Sequence, residues 1–157
     1  MQLVDLTQPL TVETPPYPGH PSLQVDILQT WPKDRLNTWI VRTSMHTGTH
    51  LDAPLHMAPS GWSVGEIPLS RLYCSAVIVD LSGVVKDWTV VTRDMVEKAA
   101  PDTIRPGDAV ILYYGWLKYA ANGDEADLER YFCFHPGPDP ALVDWLIEQR
   151  ISWVGTD

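Results

Sequence analysis

One segment of eleven residues constrains this chain more than any other, because it carries three imidazoles and one carboxylate and its composition disfavours a helix. It reads His46-Thr47-Gly48-Thr49-His50-Leu51-Asp52-Ala53-Pro54-Leu55-His56. Glycine and proline disfavour a helix here, and so do the two β-branched threonines between the first two histidines. The pattern therefore predicts an irregular turn, in which glycine permits a positive φ between the imidazoles.

The spacing within this turn predicts which side chains converge. His46 and His50 flank Gly48, so both imidazoles can approach one point from the two sides of a turn. His50 and Asp52 are two residues apart, and in extended backbone their side chains project to the same side. Two imidazoles and a carboxylate suit a divalent ion such as Zn²⁺ or Mn²⁺ and leave coordination positions open, as catalytic sites do. We therefore predict that His46, His50 and Asp52 bind a metal ion.

His56 lies beyond this set, on the far side of Pro54, and is predicted to be the catalytic residue. Its imidazole titrates near neutral pH and can exchange a proton with a water molecule that the ion activates. No G-x-S-x-G sequence is present to supply a nucleophilic serine. Glu66 and His135 are interpreted as exposed loop residues and not as ligands.

The string His-x-Gly-Thr-His-x-Asp-x-Pro-x-His over residues 46–56 resembles the signature of the cyclase family of metal-dependent hydrolases, which includes bacterial kynurenine formamidases and isatin hydrolases. Other segments resemble the same family in the same order along the chain. They are Val4-Asp5-Leu6-Thr7, Pro9-Leu10, Tyr17-Pro18-Gly19, Gly61-Trp62-Ser63, Gly107-Asp108-Ala109-Val110, Gly115-Trp116 and Val154-Gly155-Thr156-Asp157. The resemblance implies one or two ions, with Asp52 bridging a pair, and it implies that His56 donates and accepts the proton.

By the same resemblance, the expected fold is the swivelling β/β/α three-layer architecture, and the expected assembly is a homodimer or higher oligomer. The implied reaction is hydrolysis of the C–N bond of a small aryl amide or formamide. Two positions depart from the formamidases, which commonly have Trp where this chain has Tyr17 and an acidic residue where it has His20. These departures leave open an isatin hydrolase-like activity on a lactam or lactone with Mn²⁺.

Family members continue past the segment that resembles residues 154–157, and the part that follows supplies a further His and a Glu to the metal site. We therefore expect the 157 residues to be an incomplete representation of a longer polypeptide that lacks its C-terminal part. A measured mass near 17.6 kDa would contradict this expectation. The alternative from another functional class is a metal-dependent binding module without turnover.

Composition narrows the choice of partner to a small molecule. A net charge of -9, from 20 acidic and 11 basic residues, disfavours nucleic acid and anionic membrane surfaces. No apolar run approaches the roughly 20 residues that span a bilayer. Two cysteines without paired spacing favour a reducing compartment, so a cytoplasmic location is predicted. Tyr17, Trp62 and Trp116 adjoin glycine or proline and are predicted to contact an aromatic amide substrate from loops.

Hydrophobic periodicity predicts a mixed α/β class, with the chain forming one domain over 1–157. Alternating or continuous apolar runs predict strands at 3–6, 23–27, 39–45, 76–81, 109–114 and 151–154. Helices are predicted at 69–72, at 92–99 after a threonine cap, and at 139–149 after an aspartate cap followed by proline.

Overall fold

The computed structural model describes residues 4–157, which divide into two compact units, one up to Asp52 and one from Ala53 to Asp157. The first unit contains β1 (Gln24–Gln29), α1 (Trp31–Asp34) and β2 (Thr38–Arg42). The second contains α2 (Leu69–Leu72), β3 (Ala76–Asp80), β4 (Val90–Val91), α3 (Arg93–Ala99), β5 (Ala109–Tyr113), α4 (Leu128–Cys133), β6 (Gly137–Pro138), α5 (Pro140–Glu148) and β7 (Trp153–Thr156).

An antiparallel hairpin of β1 and β2 forms the regular part of the first unit. Gln24 pairs with Arg42, and the register shifts once between Ile27 and Gln29. Both predicted strands are confirmed, although β2 ends at Arg42 and not at residue 45. Beyond this end, the Ser44 hydroxyl accepts a hydrogen bond from the His46 backbone N–H, a local contact that takes the place of ladder pairing.

The second unit is built on a parallel sheet in which β5 lies between β3 and β7. Ala109 is the partner of Ala76 on one side and of Trp153 on the other. Helix α3 contacts both β3 and α5. The largest fully buried side chains in the described residues are Val79, Leu81, Val91, Val96, Val110 and Leu142. A mixed α/β class is therefore confirmed, although β3 alternates buried and exposed side chains and is not buried on both faces.

The predicted helices follow their capping signals closely. Asp139 caps α5, since its carboxylate accepts a hydrogen bond from Leu142 N at 2.6 Å, and Pro140 occupies the first helical position. Helix α3 begins directly after Thr92, and α2 occupies the predicted range. All three helix predictions are confirmed to within a residue at each end.

The structure differs from the sequence-based assignment at residues 4–6, at β7 and at α4, and it also contains α1, β4 and β6, which were not predicted. Residues 4–6 form no strand, while residue 3 of that prediction lies outside the described residues; Asp5 instead accepts a hydrogen bond from Thr7 N, which turns the chain locally. Strand β7 begins at Trp153, because Arg150 adopts a φ of +56° and turns the chain first. Helix α4 was not predicted, although Asp127 caps it by accepting from Arg130 N.

Among residues 4–157, no helix is both long enough and apolar enough to cross a bilayer.

Candidate metal centre

The loop that follows β2 is held by an earlier segment of the same unit. Thr47 forms an antiparallel bridge with Pro16, and Tyr17 N donates to His46 O at 3.1 Å. The Thr49 hydroxyl accepts a hydrogen bond from Gln8 N at 3.0 Å. These long-range contacts give an irregular loop a defined backbone, as a site that must hold a metal ion requires.

Gly48 makes the tight turn that the sequence predicts. Its φ is +67°, a left-handed conformation that side-chain-bearing residues rarely adopt. A Cβ at this position would lie 3.1 Å from Leu10 Cδ1, so the space beside the glycine is also restricted. The positive φ predicted between the two imidazoles is confirmed.

The turn brings the three predicted ligands together. One ligand atom from each of His46, His50 and Asp52 lies within 4.8 Å of the others. Asp52 Oδ1 is 3.1 Å from His46 Nδ1 and 3.7 Å from His50 Nε2. The side chains are 20%, 35% and 47% exposed, respectively, so His46 is half-buried and the other two are more open to solvent. Solvent or a small substrate can therefore reach the cluster.

A backbone carbonyl determines which nitrogen of the His50 imidazole carries the proton. His50 Nδ1 lies 2.8 Å from Gly48 O, and a carbonyl oxygen can only accept a hydrogen bond. Nδ1 must therefore carry the proton in this contact, which in the neutral ring leaves the lone pair on Nε2, the atom that faces Asp52. This orientation by a carbonyl is typical of metal-binding histidines.

The donor set and its spacing fit a divalent ion. Metal–nitrogen and metal–oxygen bonds of about 2.0–2.1 Å in a tetrahedral arrangement place neighbouring donor atoms about 3.3 Å apart. The separations of 3.1 and 3.7 Å from Asp52 Oδ1 lie on either side of this value. Both separations are compatible with one ion held by His46, His50 and Asp52.

The other predicted site residues lie in different settings. His56 is exposed at the end of a short 3₁₀ helix (Pro54–His56) that belongs to the second unit. Tyr17 is exposed in the first unit, with its ring centroid 5.4 Å from that of His20. Trp62 is exposed, and the Arg71 guanidinium lies 6.0 Å from its ring centroid. The roles predicted for these residues stay predictions.

Trp116 has a structural setting that its sequence neighbours did not indicate. Only 3% of it is exposed, and it packs edge-on against Tyr119 within the core of the second unit. Its indole N–H donates to Arg130 O at 3.4 Å. Gly115, with a φ of +66°, directly precedes the 3₁₀ helix Trp116–Tyr119, in which both aromatic residues are buried. Its predicted role in substrate binding stays a prediction.

Glu66 serves as a local cap in this structure. Its carboxylate accepts from both the hydroxyl and the backbone N–H of Ser63, at 2.7 and 2.8 Å. These two hydrogen bonds hold the pKa of Glu66 below its usual value, the hydroxyl making the larger contribution. The arrangement is a capping box for the 3₁₀ helix Val64–Glu66, in agreement with a loop position.

Asp157 organises the loop after β5. Its carboxylate accepts hydrogen bonds from the backbone N–H groups of Tyr114 and Trp116 at 2.6 Å each and of Leu117 at 3.3 Å. Burial raises the pKa of Tyr114 to about 12, and the nearby Asp157 charge contributes in the same direction. The sequence indicated Asp157 only through the family resemblance of residues 154–157.

Sequence reasoning missed Ser44, and it identified His20 only as a departure from the family pattern. His20 Nδ1 lies 2.7 Å from Ser44 Oγ, and the His20 ring centroid is 5.7 Å from that of His46. No local signal marks this pair, because its members are 24 residues apart in the chain.

Known proteins match this chain over most of its length. A family model described as Putative cyclase matches residues 4–157. Kynurenine formamidase from Erythrobacter litoralis is 27% identical over 159 residues, which cover 98% of this chain and 64% of that protein. Kynurenine formamidase from Salinibacter ruber is 33% identical over 88 residues, covering 52% and 40% of the two chains. The matched chain thus spans less than two thirds of either formamidase.

Solved structures share the fold. Isatin hydrolase A from Labrenzia aggregata, bound to benzyl benzoate, superposes with a TM-score of 0.80 at 24% identity, over 98% of this chain and 66% of that one. A potential metal-dependent hydrolase with cyclase activity superposes with a TM-score of 0.70 at 25% identity, over the same shares. The mixed α/β fold predicted for the chain is therefore that of the solved cyclase-type structures.

Proposed function

The chain belongs to the Putative cyclase family, and on that premise we propose that it is a metal-dependent hydrolase that cleaves the C–N bond of a small aryl amide or formamide. The substrate class comes from the kynurenine formamidases to which the chain is similar. The observation that carries the proposal is the convergence of His46, His50 and Asp52 to within 4.8 Å on one loop.

These three residues would hold the ion, and their number leaves room for a substrate. Asp52 contributes the negative charge, and the Gly48 carbonyl keeps His50 in the tautomer whose Nε2 can bind. When bound, a divalent ion supplies Lewis acidity that polarises a carbonyl and lowers the pKa of a water molecule. Since imidazole and carboxylate accept both Zn²⁺ and Mn²⁺, the proposal covers either ion, singly or as a pair.

We assign the proton transfer to His56. Hydrolysis of an amide requires that a proton leave the attacking water and that another reach the departing nitrogen, and a single imidazole can serve both steps. Loop aromatic residues such as Tyr17 and Trp62, both exposed, are suited to stack against a planar substrate. Trp116 would contribute to substrate binding through the position of the loop that contains it.

Metal content of purified variants tests the ligand set. Elemental analysis should find Zn or Mn in the wild-type protein and in His135→Ala, a matched control in the second unit. His50→Ala and Asp52→Ala should lose the ion while retaining the wild-type circular dichroism spectrum. A wild-type protein that binds neither ion, or variants that bind as well as wild type, would contradict the assignment.

Turnover on a panel of N-formyl aryl amines, isatin and lactones tests the reaction. For the best substrate, His56→Ala should lower kcat by a factor of about 10² to 10⁴, the usual contribution of general acid–base catalysis, with metal content unchanged. Loss of metal in His56→Ala would instead make this residue a ligand. Metal binding without hydrolysis of any compound would favour the binding module.

One position supports a second candidate within the same class. Tyr17 occupies the place where the resembling formamidases commonly have Trp, and a phenol ring is smaller than an indole ring and carries a hydroxyl. A cyclic amide or ester, such as isatin with Mn²⁺, is the corresponding alternative substrate. A higher kcat/KM for isatin than for N-formyl aryl amines would select it.

We propose further that the protein acts in the cytoplasm as a homodimer or higher oligomer. The oligomer rests on the family resemblance, and light scattering of the purified protein tests it. The location rests on cysteine usage, to which the structure adds that Cys74 and Cys133 are both free and exposed.

A further inference from the structure

The backbone of His46 is held at both of its polar groups. Its carbonyl accepts a hydrogen bond from Tyr17 N at 3.1 Å, and its N–H donates to Ser44 Oγ at 3.3 Å. The next residue, Thr47, forms a bridge with Pro16. The position of this half-buried imidazole therefore depends on what fixes Tyr17 and the Ser44 hydroxyl.

His20 fixes the hydroxyl. Its Nδ1 lies 2.7 Å from Ser44 Oγ, a short distance for a nitrogen–oxygen hydrogen bond. A serine hydroxyl can accept from the His46 N–H and make a second hydrogen bond at the same time. With His20 in place, the hydroxyl is therefore kept in the rotamer in which it can accept from His46.

A tight turn places His20. His20 N donates to Tyr17 O at 2.9 Å across Pro18 and Gly19, and Gly19 has a φ of +87°. Proline followed by a glycine of positive φ is typical of a type II turn. The turn closes a ring of contacts that runs from Tyr17 to His46, from His46 to Ser44, and from Ser44 to His20. Every member of this ring belongs to the first unit.

We propose that His20 and Ser44 are positioning residues for the metal ligand His46. His20 holds the Ser44 hydroxyl, and the hydroxyl holds the His46 backbone at the distance from Asp52 that an ion requires. This inference rests on the proposed function, because it takes His46 as a ligand. Within the described residues, the group of ligand atoms that converge within 4.8 Å does not include His20, so a support role fits its geometry better than direct binding.

Metal affinity tests the inference without reference to turnover. Zn²⁺ affinity is measured on the full chain by competition with a chromophoric chelator. His20→Ala and Ser44→Ala should weaken it by about 10- to 100-fold, the usual effect of removing a group that orients a ligand. Ser22→Ala, an exposed serine of the same unit, is the matched control and should bind as wild type. With Co²⁺ in place of Zn²⁺, the visible d–d bands should shift in His20→Ala and Ser44→Ala but not in Ser22→Ala.

Conservative replacements separate support from substrate contact. Asparagine places an amide nitrogen near the position of Nδ1, whereas glutamine places one near Nε2. His20→Asn and Ser44→Thr should therefore restore Zn²⁺ affinity, and His20→Gln should not. Normal Zn²⁺ affinity in His20→Ala with reduced kcat or raised KM would overturn the proposal in favour of direct substrate contact.

The outcomes also distinguish this inference from the proposed function. Suppose that wild type binds Zn²⁺ and that His46→Ala abolishes this binding. If His20→Ala and Ser44→Ala nevertheless bind Zn²⁺ as wild type does, then only the positioning role is wrong. If His46→Ala binds as wild type, the ligand assignment fails and the positioning role fails with it. If affinities change as expected but no substrate is turned over, the positioning role holds and the hydrolase proposal is wrong.

Discussion

Gly48 is the residue on which the candidate metal centre depends most directly. It turns the chain between His46 and His50 with a φ of +67°, and its carbonyl orients the second imidazole. A side chain would add strain in the left-handed region and would crowd Leu10. The turn depends on the missing Cβ, and this turn places the backbone carbonyl beside His50.

We predict that Gly48→Ala lowers the free energy of unfolding by about 1–2 kcal/mol, the cost of a left-handed alanine. Zn²⁺ affinity should fall as well, because relaxation of φ moves the Gly48 carbonyl away from His50. Urea denaturation and metal competition measure the two effects. Gly83→Ala, where a Cβ would meet nothing within 4 Å and φ is not positive, should leave Zn²⁺ affinity unchanged and should not destabilise the protein. If the two variants had the same free energy of unfolding and the same Zn²⁺ affinity, the turn at Gly48 would tolerate a side chain.

At the residue scale, local sequence predicted most of the cluster but not what supports it. Gly48 and the spacing of His46, His50 and Asp52 are local features, and the structure brings these side chains together. The contact of Ser44 with His20 joins two distant segments, and its existence depends on how the chain folds back. Nothing within a few residues of either side chain encodes this contact.

At the element scale, prediction succeeded where a capping side chain and an apolar run agree. Helix α5 has both signals, and its bounds follow them. Helix α4 has a cap at Asp127, but the cap lies in an acidic cluster that favours interpretation as a solvated surface. Strand β7 starts later than its apolar run, because a left-handed turn at Arg150 precedes it. Backbone turns at non-glycine residues leave little trace in sequence.

The segment at the end of β7 offers a test at this scale. The Asp157 carboxylate accepts hydrogen bonds from three backbone N–H groups of the loop after β5. The substitution Asp157→Asn removes the charge and one of the two acceptor oxygens. Hydrogen bonds to a charged group contribute about 1.5–3 kcal/mol, and we predict a loss of unfolding free energy in this range. Urea denaturation measures it, with Asp124→Asn as an exposed acidic control. A difference below about 0.5 kcal/mol between the two variants would contradict a structural role for Asp157.

At the scale of the whole molecule, the hydrophobic core and the candidate metal ligands belong to different units. The core cluster of buried residues draws on the second unit, from Val77 to Leu146. His46, His50 and Asp52 all lie in the first. The division falls between Asp52 and Ala53, inside the motif, where no glycine- or serine-rich linker marks a boundary. Composition therefore gave no indication of it, whereas the mixed α/β class followed from the periodicity of the strands and helices.

This division predicts that metal binding stabilises the two units unequally. An ion that binds only the folded first unit stabilises it by about 2.7 kcal/mol at a free concentration of 100 times Kd. Amides of the β1–β2 hairpin that exchange by opening of this unit should then exchange about 100-fold more slowly. Amides of the β3–β5–β7 sheet should exchange as before, because no proposed ligand lies among them.

Hydrogen exchange followed by mass spectrometry, with and without Zn²⁺, measures this difference for both units in one sample. His50→Ala is the control variant, and in it Zn²⁺ should leave the hairpin amides unchanged. Equal slowing of the hairpin and of the parallel sheet in the wild-type protein would mean that the two units open together. In that case the stabilisation would belong to the whole chain, and the hairpin would have no separate opening for the metal ion to suppress.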